Sequence, residues 1–331
     1  MSDSSGPETN RAPSISPSAI AVAALLVLIG GLHLSVGDLT WWGECVTVWP
    51  TIGWLILISP RLALWAMRRR WRDAALVGTT ALALITATGE WSGLVRGTKP
   101  DDGTRSDRDL RVVTWNVAGG IPIDDLATDR PDIALLQEIG GMPASPARPQ
   151  QLAGHYWIAE FDPGTLSRFP IERLPTRKIG PWQEPQVLKT TIAGKTVVLV
   201  NVRLTLPAFV VAVASLETPS GLIRLHAERI AQFAKLRDLI SETLARERST
   251  TAILCGDFNS PGGIQSGRVL RSILRDVWPE GGRGWPATMT ASFPVSRIDQ
   301  CWVTPDIEIR NAEVRRGHSD HRRLVVDLRL R

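Results

Sequence analysis

Between Pro13 and Gly37 the chain carries no Asp, Glu, Lys or Arg. Its inner part, Ala19 to Val36, is predominantly apolar and long enough to cross a bilayer as a helix. A second apolar run covers Cys45 to Pro60 and resumes after Arg61 as Leu62 to Met67, and a third covers Ala74 to Gly89. The first run lacks a clear small-residue cleavage site and two more runs follow it, which argues against a cleaved signal peptide. The second and third are short for spans, and buried helices of a soluble domain are the competing reading. Trp41, Trp42, Trp49, Trp54, Trp65, Trp71 and Trp91 lie at or near the ends of these runs, as interfacial aromatic belts do. The pattern predicts a disordered Ser- and Pro-rich tail (1–17) and a membrane domain of about three transmembrane helices (18–96). A polar linker (97–109) and a second domain (110–331) follow.

Basic residues set the orientation. Arg68, Arg69, Arg70 and Arg72 lie between the second and third runs, whereas Asp38 and Glu44 lie between the first and second. Positive-inside logic puts the arginine loop in the cytoplasm. The expectation is a multi-pass protein of the plasma or inner membrane with its large domain on the extracytoplasmic side; two spans instead of three would reverse that side. Residues 100–331 hold 30 basic and 27 acidic residues, a balance and scatter that count against a non-specific grip on duplex nucleic acid without excluding one. Cys45, Cys255 and Cys301 show neither framework spacing nor a Cys-His metal pattern, and small buried hydrophobes are the expectation. Oligomeric state leaves no trace.

Beyond Leu110, strand-like and helix-like segments alternate, which predicts an α/β domain with helices outside the sheets. Leu110 to Val117 reads as a strand that delivers Asn116. Asp132 to Glu138 is an apolar run ending in a carboxylate, which needs a cation or donors when buried. A Pro/Gly-rich loop follows (140–150), then strand-like pieces around 156–158 and 164–170. Gln186 to Ile192 and Lys195 to Leu204 read as a hairpin through Ala193-Gly194. Leu222 to Arg248 is an amphipathic helix with Ile230, Phe233, Leu236 and Ile240 on one face; His226 on it reads as surface structure. Thr251 to Cys255 leads into Gly256-Asp257-Phe258-Asn259-Ser260-Pro261. Asp257 and Asn259, two apart on an extended chain, can face one site. Val269 to Asp276 reads as a helix, Ser296 to Val303 as a strand carrying Asp299, and Gly317 to His321 as a loop before the last strand. Asn116, Glu138, Asp257, Asn259, Asp299, Asp320 and His321 are thus an acidic, oxygen-rich set with one group that titrates near neutrality. These are ingredients for a hard divalent cation and proton transfer.

The motifs TWN, LLQE, LSRFPI, GDFNSP, RID and SDH, in this order, resemble those of the endonuclease/exonuclease/phosphatase superfamily, DNase I-like and exonuclease III-like, over about residues 110–330. The resemblance implies a four-layer α/β sandwich, two packed mixed β-sheets flanked by helices. It implies hydrolysis of a phosphoester with Mg²⁺, or Mn²⁺ in its place. Glu138 would be the principal metal ligand, helped by Asn116 and Asp320. Asp257 would orient or deprotonate water, Asn259 would hold a phosphate oxygen, and His321 would contact the phosphate while Asp299 fixes its ring. Nucleic acid, a phospholipid head group and a small phosphate ester all remain open as substrates.

The chain departs from the family at one position. Asn201-Val202-Arg203-Leu204 stands where the family usually has Asn-x-His-Leu, with tyrosine in place of the histidine in some members. A guanidinium can grip phosphate with two hydrogen bonds but cannot exchange a proton at neutral pH. Arg203 is therefore expected to bind phosphate. The alternative is a catalytically weakened member that binds phospho-ligands or serves as a membrane-anchored interaction module. The next stretch, Leu204 to Leu216 (LTLPAFVVAVASL), is nearly all apolar yet too short to span. It reads either as a buried strand or packed insertion, or as a loop touching the bilayer beside the site.

Overall fold

The computed structural model describes residues 14–47, 49, 51–87, 92–97, 106–120, 123–140, 152–159 and 162–331. Most of the expected tail, most of the linker and nearly all of the 140–150 loop lie outside the described residues. Helix α1 (Pro17–Leu34) starts where Pro17 takes the first helical position and the Ser16 side chain accepts from Ala19 N at 3.2 Å. Four more helices precede the sheets: α2 (Trp41–Thr47), α3 (Thr51–Met67), α4 (Trp71–Ala87) and α5 (Ser92–Arg96). α1, α3 and α4 bury Ala19, Ala23, Leu26, Ile29, Trp65, Val77, Ala81 and Leu84 against one another. At the far end of the bundle, Asp73 accepts from Ser16 N (2.8 Å) and Ser16 Oγ (2.9 Å), tying the start of α4 to the start of α1.

Three spans are not what these helices provide. Among the described residues, α1 alone is long and apolar enough to cross a membrane. The second run is divided between α2 and α3, and α3 carries Pro60 and Arg61 in its middle. α4 opens on Arg72 and Asp73 and includes Thr79, Thr80 and Thr86, whose hydroxyls bond the preceding turn.

The second domain is a sandwich of two mixed sheets. Its strands are β1 (Asp109–Asn116), β2 (Ile133–Gln137), β3 (Tyr156–Ala159), β4 (Gly164–Ser167), β5 (Ile171–Arg173), β6 (Gln186–Ile192) and β7 (Lys195–Arg203). They continue as β8 (Thr251–Asp257), β9 (Arg275–Asp276), β10 (Gly282–Arg283), β11 (Asp299–Val303), β12 (Ile307–Arg315) and β13 (Arg323–Leu330). One sheet runs β10-β12-β13-β1-β2-β4-β3, the other β5-β6-β7-β8-β11-β9. Strand period sorts the core. Leu110 and Val112 of β1 and Val197 and Leu199 of β7 lie in the cluster between the sheets. Val113 and Trp115 pack outward with Leu126 of α6 (Ile123–Asp129). Val198, Val200 and Val202 pack with Phe233, Leu236 and Ile240 of α8 (Pro219–Arg246). Helix, sheet, sheet, helix: the four layers of a DNase I-like sandwich follow from that alternation.

Four local readings change. Leu204 to Leu216 is neither a strand nor a loop throughout; it forms α7 (Ala208–Ala214), half-exposed. Residues 269–276 divide into a 3₁₀ segment (Ser266–Ser272) and β9, with a short helix α9 (Val277–Gly281) after them. His226 is buried, not on the surface, and its Nε2 donates to the Asp38 carbonyl at 2.9 Å. Cys255 and Cys301 are more than small hydrophobes: directly opposed on β8 and β11, they form a disulfide.

The helical unit is seated on the sandwich. Asp38 accepts from Ser266 N (3.0 Å) and Ser266 Oγ, and Gln265 Nε2 donates to the His33 carbonyl (2.7 Å). Glu44 and Arg229, both buried, face each other with Oε1 2.8 Å from Nε. On the other flank, Arg96 Nη1 donates to the Gly282 carbonyl at 3.1 Å and Gly284 N to the Gly93 carbonyl at 2.9 Å.

Candidate active site

Six strand ends converge at one edge of the sandwich, three from each sheet. Asn116 ends β1, Glu138 follows β2, and His321 precedes β13; Arg203 ends β7, Asp257 ends β8, and Asp299 opens β11. Register makes the encounter obligatory, since Asp257 is the cross-strand partner of Asp299 and the parallel partner of Arg203. Gly256 permits that close approach. At its φ of +154°, a Cβ would meet the Val202 carbonyl oxygen at 1.9 Å. Beneath the edge the sheets are clamped by polar side chains. Gln137 Nε2 donates to Asn201 Oδ1 at 2.7 Å, and Asn201 Nδ2 to the Gly164 carbonyl at 3.0 Å.

Asp257, Asp299 and His321 are buried, with ligand-type atoms all within 4.8 Å of one another. His321 Nδ1 lies 2.9 Å from Asp299 Oδ2. Burial alone would lower the His321 pKa, but the Asp299 carboxylate lifts it to about 9, so the ring is an imidazolium near neutrality. Asp257 accepts from Asn259 N at Oδ1 (2.9 Å) and from Asn116 Nδ2 at Oδ2 (3.0 Å). Burial, and then the facing Asp299, raise its pKa to about 7. Asp299 N donates to Thr288 Oγ1 at 3.1 Å, while Asp299 Oδ1 is buried with no hydrogen-bond partner among the described residues.

Glu138 is a third exposed; its Oε1 accepts from Asn116 Nδ2 (2.8 Å) and pairs with Arg203 Nη2 (2.6 Å). The guanidinium therefore sits on the carboxylate expected to hold metal, and the sequence did not foretell that contact. Asn259, at φ +48°, turns back so that its Nδ2 donates to the Leu204 carbonyl at 2.8 Å. Asp320 is exposed: its Oδ1 accepts from Ser319 Oγ at 3.2 Å, outside the buried cluster. Asp162, not anticipated from sequence, faces Arg203 across 3.9 Å; burial raises its carboxyl above the usual range. It borders a cleft of about 250 Å³ lined also by Trp182, Arg203, Leu204, Leu206, Val211 and Asn259. A chain with no repeated pattern around Asp162 offered no signal for it.

The donor set suits a hard divalent cation. Carboxylates dominate, and one carboxylate oxygen, Asp299 Oδ1, is buried without a donor among the described residues. Glu138 offers its carboxylate for that role, whereas Asn116 turns Nδ2 toward Glu138 and Asp257 while its Oδ1 accepts from Ala118 N at 3.1 Å. Asp320 is the weakest of the expected ligands, because it points to solvent.

Residues 113–321 match the Endonuclease/Exonuclease/phosphatase family. The chain belongs to that family. Members of the Endonuclease/Exonuclease/phosphatase family hydrolyse phosphoesters and generally use divalent metals. Among solved structures, the chain is similar to the endonuclease/exonuclease/phosphatase of Beutenbergia cavernae DSM 12333. That pair shares 21% identity over 67% of this chain and 72% of the other, with a TM-score of 0.46. It is also similar to a mannosyl-6-phosphatase of Bacteroides thetaiotaomicron VPI-5482 (16% identity, 66% of this chain, 99% of the other, TM-score 0.47). A third similar structure is the human Nocturnin catalytic domain with a bound sulfate anion (15% identity, 69% and 97% coverage, TM-score 0.46). No curated protein matches the chain.

Proposed function

We propose that this chain is a divalent-metal-dependent phosphoester hydrolase carried by its N-terminal helices at a membrane. The observation that carries the reading is the buried convergence of Asp257, Asp299 and His321 beside Glu138 and Asn116. Asp257, with a pKa of about 7 and both oxygens oriented by hydrogen bonds, takes a proton from a water positioned against phosphorus. The His321 imidazolium, held at Nδ1 by Asp299, aims Nε2 at a non-bridging oxygen as negative charge builds there. Arg203, at the end of the cleft, adds a second cationic donor for the phosphate. Water's oxygen stays on phosphorus, the ester P–O bond breaks, and the leaving oxygen takes a proton from solvent to depart as an alcohol. The proton on Asp257 returns to solvent. Glu138, helped by Asn116 and Asp320, would hold a divalent cation, which when bound would withdraw charge from the phosphoryl group as a Lewis acid.

Two features support a membrane location with the sandwich outside. α1 has the length and composition of a span, and a disulfide between Cys255 and Cys301 suits an oxidising compartment.

Hydrolysis of bis-p-nitrophenyl phosphate by the full chain in Mg²⁺ tests the chemistry. Asp257→Asn and His321→Ala are each expected to lower kcat by about 10²–10⁴; wild-type rates in both would remove the assignment. A second reading, a phospho-ligand-binding module, draws on the Arg203–Glu138 pair, which puts a fixed cation on the metal-type carboxylate. Tight calorimetric binding of phosphate esters without turnover would select it.

A further inference from the structure

Among its described residues the sandwich exposes eight large hydrophobic side chains, and five of them, Leu206, Val210, Val213, Leu216 and Ile223, fall in one short stretch around α7. One face of α7 is satisfied: Ala208 and Ala212 are buried. The other is not, with Val213 at 60% exposure, and Leu216 just past the helix end is 91% exposed. The same stretch walls the cleft, because Leu206 and Val211 line it together with Arg203 and Asn259. An apolar lip thus stands directly on the rim of the phosphate-handling site.

What lies beside the lip identifies its occupant. α7 is seated on α2, where the Ala208 N–H donates to Glu44 Oε1 at 3.3 Å. α2 exposes Trp41 and Trp42. It begins just past the end of α1, the helix long enough to cross a bilayer, which itself exposes Ile20, Leu25, Val27, Leu28 and Leu34. Around that same end, His33 and Leu34 share a cleft of about 160 Å³ with Arg268 and Arg271. Tryptophans, arginines and an apolar helix gathered where a membrane helix emerges are the groups that favour the headgroup layer. Indole rings settle there, and arginines meet anionic lipid. α2 packs against both α7 and α1, so it joins the lip to the helix that lipid would cover.

We propose that α7, with Trp41 and Trp42, rests in the headgroup layer, and that the cleft receives the phosphoester of a membrane-lipid head group. The ester enters past Leu206 and Val211 and comes to Arg203 and Asn259. This rests on the hydrolase reading and names its substrate class.

The test uses the full chain in nanodiscs of equimolar phosphatidylcholine and phosphatidylglycerol, with bis-p-nitrophenyl phosphate as the soluble comparison. The double variant Val213→Glu/Leu216→Glu, outside the catalytic set, is expected to lose tenfold or more in lipid head-group release and to stay within twofold of wild type on the soluble ester. Equal lipid turnover by variant and wild type, or turnover of the soluble ester with none of either lipid, overturns the proposal. A polarity-sensitive fluorophore on Val213→Cys, in a Cys45→Ser background, is expected to be quenched by doxyl-labelled lipid; no quenching also overturns it. Absence of turnover on every substrate defeats the hydrolase reading and the lipid-substrate half of the proposal, and the fluorophore then decides the docking half alone.

Discussion

Replacing Glu44 with alanine should destabilise the whole chain, although Glu44 lies far from the sheets in sequence. Glu44 is 1% exposed and Arg229 3% exposed, with Oε1 2.8 Å from Nε. The oxygen approaches off the N–H direction, so this is an ion pair without a hydrogen bond, and Arg229 Nε and Nη1 have no hydrogen-bond partner among the described residues. Removing the carboxylate leaves a guanidinium buried with only neutral acceptors, the Asn259 carbonyl at 3.4 Å and Ser260 Oγ. An unpaired buried charge of this kind costs about 3–5 kcal/mol, and the Ala208 N–H that loses its acceptor adds about 1 kcal/mol. A loss of about 4–6 kcal/mol corresponds to roughly 10–20 °C in Tm for a domain of this size. The assay is thermal unfolding of the full chain in detergent. The pair is not expected to stabilise relative to apolar residues, because desolvation offsets its attraction. Glu44→Met/Arg229→Met should therefore return to within about 1–2 kcal/mol of wild type. A Glu44→Ala variant within 1 °C of wild type would refute the reasoning, as would a double variant whose loss equals the sum of the two singles. Because Arg229 also holds the Asn259–Ser260 turn, Glu44→Ala should lower kcat at temperatures where it remains folded.

Other expectations are more direct. Arg203→Ala should raise KM for a phosphodiester about tenfold while changing kcat less, since a positioned cation is removed without a proton-transfer group; an unchanged KM would take Arg203 out of the phosphate site. Chelator should abolish hydrolysis, and Mg²⁺ or Mn²⁺ should restore it in wild type but not in Glu138→Ala; activity that persists in chelator would exclude the metal reading. Cys255→Ser/Cys301→Ser should lose about 2–4 kcal/mol of stability. In unfolded wild type without reductant, thiol titration should find Cys45 alone, and three reactive thiols would contradict the bond.

The parts of the site that sequence revealed are those where a strand ends. Asp257, Asp299 and His321 each adjoin an apolar run, so their place at an edge could be read from period alone. Contacts between distant elements left no such mark. Glu44 and Asp38 looked like loop acids between membrane runs, yet they serve as a partner for Arg229 and a cap for Ser266. The Cys255–Cys301 bond depends on register between β8 and β11, which no spacing rule gives. α7 was ambiguous because a short apolar run has no period that separates helix from strand.

Each sheet contributes three of the six converging strand-end groups, and the chain crosses between sheets repeatedly: β1 to β4 in the first, β5 to β9 in the second, β10 back in the first, β11 in the second, and β12 and β13 in the first again. Neither sheet alone can therefore hold the Asp299–His321 pair, since the carboxylate and its imidazole arrive from opposite halves. Turnover then serves as a reporter of sandwich closure. During refolding it should appear only after the last strand docks, lagging behind the secondary structure detected by circular dichroism.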